Sequence, residues 1–269
     1  FDAARLDRIG THLHKYVDSG LLPGTNVVVT RGGKVAYHDM YGHRDVERDL
    51  PVVNDTIYRF YSMTKPVTSI AAMQLYEQGL FQLRDPISKW IPSFANARVF
   101  DGGNAIAWQT REPAREINVH DLLTHMSGIT YDFHFAGFVD EIYRKNGFNW
   151  ALPGNLEESC DALAALPLVF DPGTEWNYSY STDVLGRLIE VISGVPLDEY
   201  LQQNIWGPLD MQDSAFQVGA DQAERFAANY SPVPGTLQRK LMDDPQRSSY
   251  LRPPKTLSGG GGMVGTLHD

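Results

Sequence analysis

Basic residues are in short supply. The 269-residue chain has 23 Lys and Arg against 33 Asp and Glu, a net charge of −10. This argues against a nucleic-acid binder, which should carry a basic face. One cysteine, Cys160, excludes an internal disulfide and leaves the redox compartment open. No apolar run reaches 18 residues, so no membrane-spanning helix is expected. No signal segment is visible, and the chain starts at Phe1 rather than Met; the compartment stays open, with the cytoplasm slightly favoured. There is no H-E-x-x-H, no paired C-x-x-C and no P-loop, so metal-hydrolase and phosphate-cradle chemistry find no support. There is no G-x-S-x-G, which disfavours a nucleophile elbow. Gly260, Gly262 and Gly265 fit G-x-G-x-x-G, but no buried strand precedes them and no βαβ unit surrounds them. His12 and His14 form an H-x-H pair whose members would not share a helix face, so a surface or packing role outweighs metal binding.

What is present is ordinary for a globular protein: 42% hydrophobic and 21% charged residues. The length suits one large domain or two intimate ones. The chemically suggestive stretch is Tyr61-Ser62-Met63-Thr64-Lys65-Pro66. Val67, Ile70, Ala71 and Leu75 recur at helical spacing behind it, and Gly79 suits the residue after a helix end. A helix from Ser62 to about Gln78 is expected, with Pro66 in its first turn. Ser62 and Lys65 would then share a face one turn apart. A serine hydroxyl needs a base to take its proton, and a lysine whose pKa is lowered can be that base. A helix start adds a positive field and free N–H groups. A solvated lysine near a helix start has the same spacing, so the rest of the chain must choose.

Along the chain, residues 3–18 read as an amphipathic helix and 25–38 as a hairpin around Gly32-Gly33. Residues 57–61 form a short extended piece. Asp85-Pro86 predicts a helix start, and 93–116 read as a long loop. Asn118 caps an expected short helix with Gly128 at its end, placing His125 on the packed side as a hydrogen-bonded core histidine. Residues 131–150 are rich in aromatics, and 156–166 look helical. Val184, Leu185, Leu188, Ile189 and Ile192 define a buried helix face ended by Gly194, and another helix covers 197–206. Residues 215–257 look irregular.

One ordered set of motifs makes the choice. After Ser62 and Lys65 come Leu122 to Gly128, then Asp171-Pro172-Gly173 leading to Tyr178-Ser179-Tyr180, then Gly207 to Met211, then Ser258 to Gly262. The set covers nearly the whole chain and resembles the serine β-lactamase-like superfamily, within it the class C β-lactamases and family VIII carboxylesterases, with penicillin-binding proteins as kin. The resemblance implies an α/β (α+β) chain of the β-lactamase/transpeptidase-like fold, an antiparallel sheet flanked by helices plus a mainly helical region. Residues 1–61 would belong to the α/β region, 62–255 to the helical region, and 256–269 would return to the first. It implies Ser62 as acylated nucleophile and oxyanion donor, Lys65 as its proton partner and Tyr178 as general base. Tyr131, Phe133, Phe135, Phe138, Trp150 and Tyr180 are candidates for a substrate pocket. No metal or organic cofactor is implied.

Two departures bear on substrate. Tyr180 stands where the resemblance calls for an asparagine that contacts a lactam amide, which favours esters. The family's third motif, K-T-G or a variant, is absent, and Lys255-Thr256-Leu257 lacks the glycine. The chain is thus expected to lack the C-terminal strands and one oxyanion donor. The implied activity is hydrolysis of carboxylic esters of short acyl chains, on a small-molecule ester or lactam. A class C-like β-lactamase, a D-aminopeptidase, an acyltransferase or a non-catalytic scaffold are the alternatives, and the oligomeric state is open.

Overall fold

The computed structural model describes residues 1–269, which form two compact units. Elements are numbered in chain order. Unit 1 comprises Phe1–Arg59, Met211–Pro254 and Val264–Asp269. It starts with α1 (Ala3–Asp18), capped by the Asp2 carboxylate on Arg5 N. Strands β1 (Gly24–Arg31), β2 (Lys34–Asp45) and β3 (Leu50–Pro51) make an antiparallel sheet in that order. Arg31 pairs with Lys34 across Gly32 and Gly33, whose φ values of +56° and +70° are what a two-residue hairpin turn requires. Helix α1 packs on β2, where His14 Nε2 meets Asp39 Oδ2 at 2.9 Å and Gly10 N donates to the Tyr37 hydroxyl.

The rest of unit 1 holds β4 (Tyr58–Arg59), paired antiparallel with β9 (Val264–Gly265), and the hairpin β7–β8 (Asn229–Pro232, Arg239–Asp243). Ile57, Val218, Phe226 and Val264 form its core. The Arg59 guanidinium bonds Asp243 Oδ2 and the Ala227 carbonyl and lies 4.0 Å over the Phe226 ring. These contacts correct the expected domain bounds: Met211–Pro254 group with unit 1, because Val218, Phe226 and Asp243 find their partners at Ile57 and Arg59.

Unit 2 comprises Phe60–Asp210 and Lys255–Met263. Helix α6 (Ser181–Ser193) is its centre, with α2 (Thr64–Glu77), α3 (Val119–Leu123), α5 (Leu156–Ala164) and α7 (Leu197–Leu201) packed around it. Val184, Leu185, Leu188 and Ile189 are fully buried, as their spacing predicts, and Gly194 ends α6 at φ +76°. The unit also holds α4 (Phe138–Lys145) and a hairpin of its own, β5–β6 (Val99–Gly103, Trp108–Arg111).

Several expectations shift here. The helix after Ser62 starts at Thr64, behind a 3₁₀ turn at Tyr61–Met63. Its buried face is Thr64, Thr68, Ala71, Ala72 and Leu75, while Ile70 is exposed, because the polar threonines face α6 and the glycine run rather than water. Asp85 starts no α-helix: its carboxylate takes Gln82 N, and only the turn Ile87–Lys89 follows. The presumed loop 93–116 contains β5–β6, anchored where Val99 bridges Leu168. Residues 215–257 contain β7–β8. Helix α3 keeps its Asn118 cap, with Asp121 completing the capping box, but stops at Leu123. Gly128 is there for close approach, since a Cβ would lie 2.4 Å from the Phe170 carbonyl oxygen.

Candidate active site

Unit 2 positions the side chains that the sequence singles out. Ser62 lies in the turn at the mouth of α2. Tyr61 before it has φ +45°, a left-handed value that a bulky side chain rarely takes, so Ser62 sits on a strained bend. Lys65 follows one turn later and is buried. Its Nζ donates to the Gly260 carbonyl at 2.7 Å, the Tyr131 hydroxyl at 3.0 Å and Ser62 Oγ at 3.4 Å. Three partners match the three N–H bonds of an ammonium. A neutral amine has two N–H bonds and one lone pair. The Gly260 carbonyl can only accept, so it keeps one N–H. With Tyr131 accepting the other, the lone pair is left to the Ser62 hydroxyl.

The glycine run owes its composition to this arrangement. Asp183 of α6 is buried and accepts from Ser258 Oγ at 2.5 Å and Gly260 N at 3.0 Å. Thr68 Oγ1 donates to the Gly259 carbonyl at 2.8 Å. A Cβ on Gly260 would lie 2.4 Å from Asp183 Oδ2, and one on Gly259 2.8 Å from the Thr182 carbonyl oxygen. Glycine therefore lets the segment come close enough to bring its carbonyl to Lys65. Burial holds the Asp183 carboxyl above the ordinary carboxylate range, against the pull of its hydrogen bonds and the Lys65 charge.

Tyr178 turns its ring toward Lys65, with Nζ 4.5 Å from the ring centre. Tyr131 is nearer to Nζ through its hydroxyl. Burial first, then the nearby Asp183, Tyr178 and Asp132, raises the Tyr131 phenol, so it stays protonated. Tyr180 donates to the buried Asp132 carboxylate, and burial followed by that bond raises its phenol too. Its ring meets Tyr131 edge-on at 4.3 Å.

Of the other aromatic candidates, Phe133 stacks on Tyr131 at 4.4 Å and Trp150 on Phe133 at 4.5 Å. Phe135 lies apart: it ends the turn Asp132–His134 at φ +54° and sits under the Arg144 guanidinium at 4.4 Å. Phe138 opens α4, half exposed. Sequence reasoning missed the Tyr131 hydroxyl as a lysine partner, the Gly260 carbonyl and Asp183. The last had a signal, a carboxylate inside the apolar face of α6. Cavities of about 300 and 210 Å³ lie elsewhere in unit 2, and neither is lined by Ser62 or Lys65.

His125 is not a plain core histidine. It is half-buried at φ +56°, with Nδ1 3.3 Å from Ser179 Oγ and its ring 4.8 Å from Tyr178. Burial, then repulsion from Lys65, lowers its pKa from 6.5 to about 4. A lowered pKa means that the unfolded chain binds more protons between those values. The stability from neutral His125 is therefore complete above about pH 6.5 and lost as pH falls toward 4. Asn suits the left-handed backbone and does not titrate. The melting temperature of wild type, relative to His125→Asn, is expected to fall as pH drops from 7 to 4; a difference that stays constant with pH would rule this titration out.

A family model described as Beta-lactamase matches residues 10–269. Protein Rv1367c of Mycobacterium tuberculosis is 35% identical over 264 residues, 98% of this chain and 64% of that protein. Esterase EstB of Burkholderia gladioli is 31% identical over 285 residues, covering 99% of this chain and 68% of EstB. Among solved structures, that of EstCE1, described as a hydrolase with promiscuous acyltransferase activity, superposes with a TM-score of 0.82 at 26% identity, covering 99% of this chain and 69% of that one. The chain thus spans about two thirds of the length of the proteins it matches.

Proposed function

Because the chain belongs to the Beta-lactamase family and has its β-lactamase/transpeptidase-like fold, we propose that it acts as a serine hydrolase on carboxylic esters of short acyl chains. The observation that carries this reading is Lys65: Nζ lies 3.4 Å from Ser62 Oγ while Gly260 and Tyr131 fix its other directions. Lys65 takes the Ser62 proton as Oγ attacks the carbonyl carbon. The Ser62 N–H, near the start of α2, stabilises the oxyanion. The C–O bond to the alcohol breaks, and Lys65 returns the proton to the leaving alkoxide, which departs as the alcohol. Water then attacks the acyl-Ser62 carbonyl and gives up a proton by the same route. The carboxylic acid departs and Ser62 is restored. Esterase EstB and the hydrolase EstCE1 are in keeping with this chemistry.

Esters are favoured over lactams by Tyr180. At the position where a lactam amide would meet an asparagine amide, this chain places a phenol whose hydroxyl is committed to Asp132. The test compares p-nitrophenyl butyrate with nitrocefin on the purified protein. Ester turnover is expected, with kcat/KM for nitrocefin at least about 100-fold lower, since an amide-binding contact of about 3 kcal/mol is missing. Equal efficiency on both would replace the ester reading with a β-lactamase one.

A further inference from the structure

Trp150 is held in the open by buried groups. It is 72% exposed, yet its backbone takes φ +59°, a conformation that a bulky residue rarely adopts. Its backbone N–H donates to Oδ2 of Asp132 at 3.0 Å. Asp132 is fully buried, and its other oxygen takes the Tyr180 hydroxyl. The indole lies nearly parallel to Phe133, 4.5 Å away with 18° between planes, and Phe133 lies on Tyr131 at 4.4 Å and 22°. Tyr131 is the ring whose hydroxyl meets Lys65. A column of three stacked rings therefore starts at Lys65 and ends on an indole whose outer face is left to solvent. An exposed indole is unfavourable in water, and so is the left-handed backbone beneath it. A strained and anchored aromatic beside a reactive pair fits a ring-binding role.

We infer that the outer face of Trp150 is a subsite for a flat ring on the alcohol half of the substrate. This rests on the ester-hydrolase reading. A short acyl chain ends near Ser62, so a ring that reaches Trp150 belongs to the leaving alcohol. The indole centre lies roughly 9 Å from the Tyr131 ring along the column. The ring must therefore be set apart from the ester oxygen by an alkyl spacer. The substrate class is short-acyl esters of arylalkyl alcohols.

The experiment measures kcat/KM for 6-phenylhexyl butyrate, whose spacer spans about the length of the column, and for nonyl butyrate, which has no ring. In wild type the ring ester is preferred. In Trp150→Ala the ratio of the two is expected to fall about tenfold, the size of one lost stacking contact. Trp150→Phe, which keeps a ring, should retain most of the preference. An unchanged ratio in Trp150→Ala would overturn the subsite. Binding of 6-phenylhexan-1-ol to the Ser62→Ala protein separates the two readings. If wild type hydrolyses no ester but the alcohol binds and loses affinity about tenfold with Trp150→Ala, the ring subsite stands and the hydrolase reading falls. If esters are hydrolysed and neither ratio nor affinity responds to Trp150, the hydrolase reading stands and the subsite falls.

Discussion

Replacing Ser62 with Ala is expected to lower the rate of p-nitrophenyl butyrate hydrolysis by at least about 10⁴-fold, with the melting temperature nearly unchanged. The size follows from the step removed. Without an acyl-enzyme, only binding and the remaining N–H donors act on the ester, and losing the nucleophile of such a unit costs about as much as losing the unit. The fold should not notice, because Ser62 is exposed and its Oγ holds only the longest of the three Lys65 bonds. Exposed substitutions of this kind stay within about 0.5 kcal/mol. Full activity in the folded variant would remove Ser62 from the mechanism.

Lys65→Met carries the next largest effect. It matches the side chain in length and removes the amine. A drop in kcat of about 10³–10⁴ is expected, the upper range for losing a positioned base. The buried Gly260 carbonyl also loses its donor. Lys65→Arg distinguishes the possible roles of the amine. A guanidinium keeps the charge but cannot give up its proton near neutral pH. If Lys65 works as a base, Arg is as inactive as Met; if Arg restores turnover, the lysine acts only as a cation. Tyr131→Phe removes one of the three bonds that aim Nζ and is expected to cost less, about tenfold. All are read from kcat on the same ester.

The sequence disclosed what is local. Ser62 and Lys65 are three residues apart, so a helix-start pattern brings them together. The β1–β2 hairpin was legible because Gly32-Gly33 supplies the positive φ its turn needs, and α6 because four apolar residues keep a strict helical period. The β5–β6 hairpin was not. Its strands are short and polar, and Gly102-Gly103 falls inside a strand rather than at the turn, with a register shift between Phe100 and Gly102. The partners that aim Lys65 were hidden for another reason: Tyr131 and Gly260 lie 66 and 195 residues away in sequence. Only tertiary packing brings them there. Tyr178 was legible through its motif alone, and nothing in the sequence foretold that its ring face would meet the lysine.

The most direct test of an acyl-forming Ser62 aimed by Lys65 is mass spectrometry of the protein after treatment with a fluorophosphonate, followed by peptide mapping. The account predicts one adduct, on Ser62, absent in Ser62→Ala and formed more slowly in Lys65→Met. Ester hydrolysis without an adduct, or with an adduct on another serine, would contradict it.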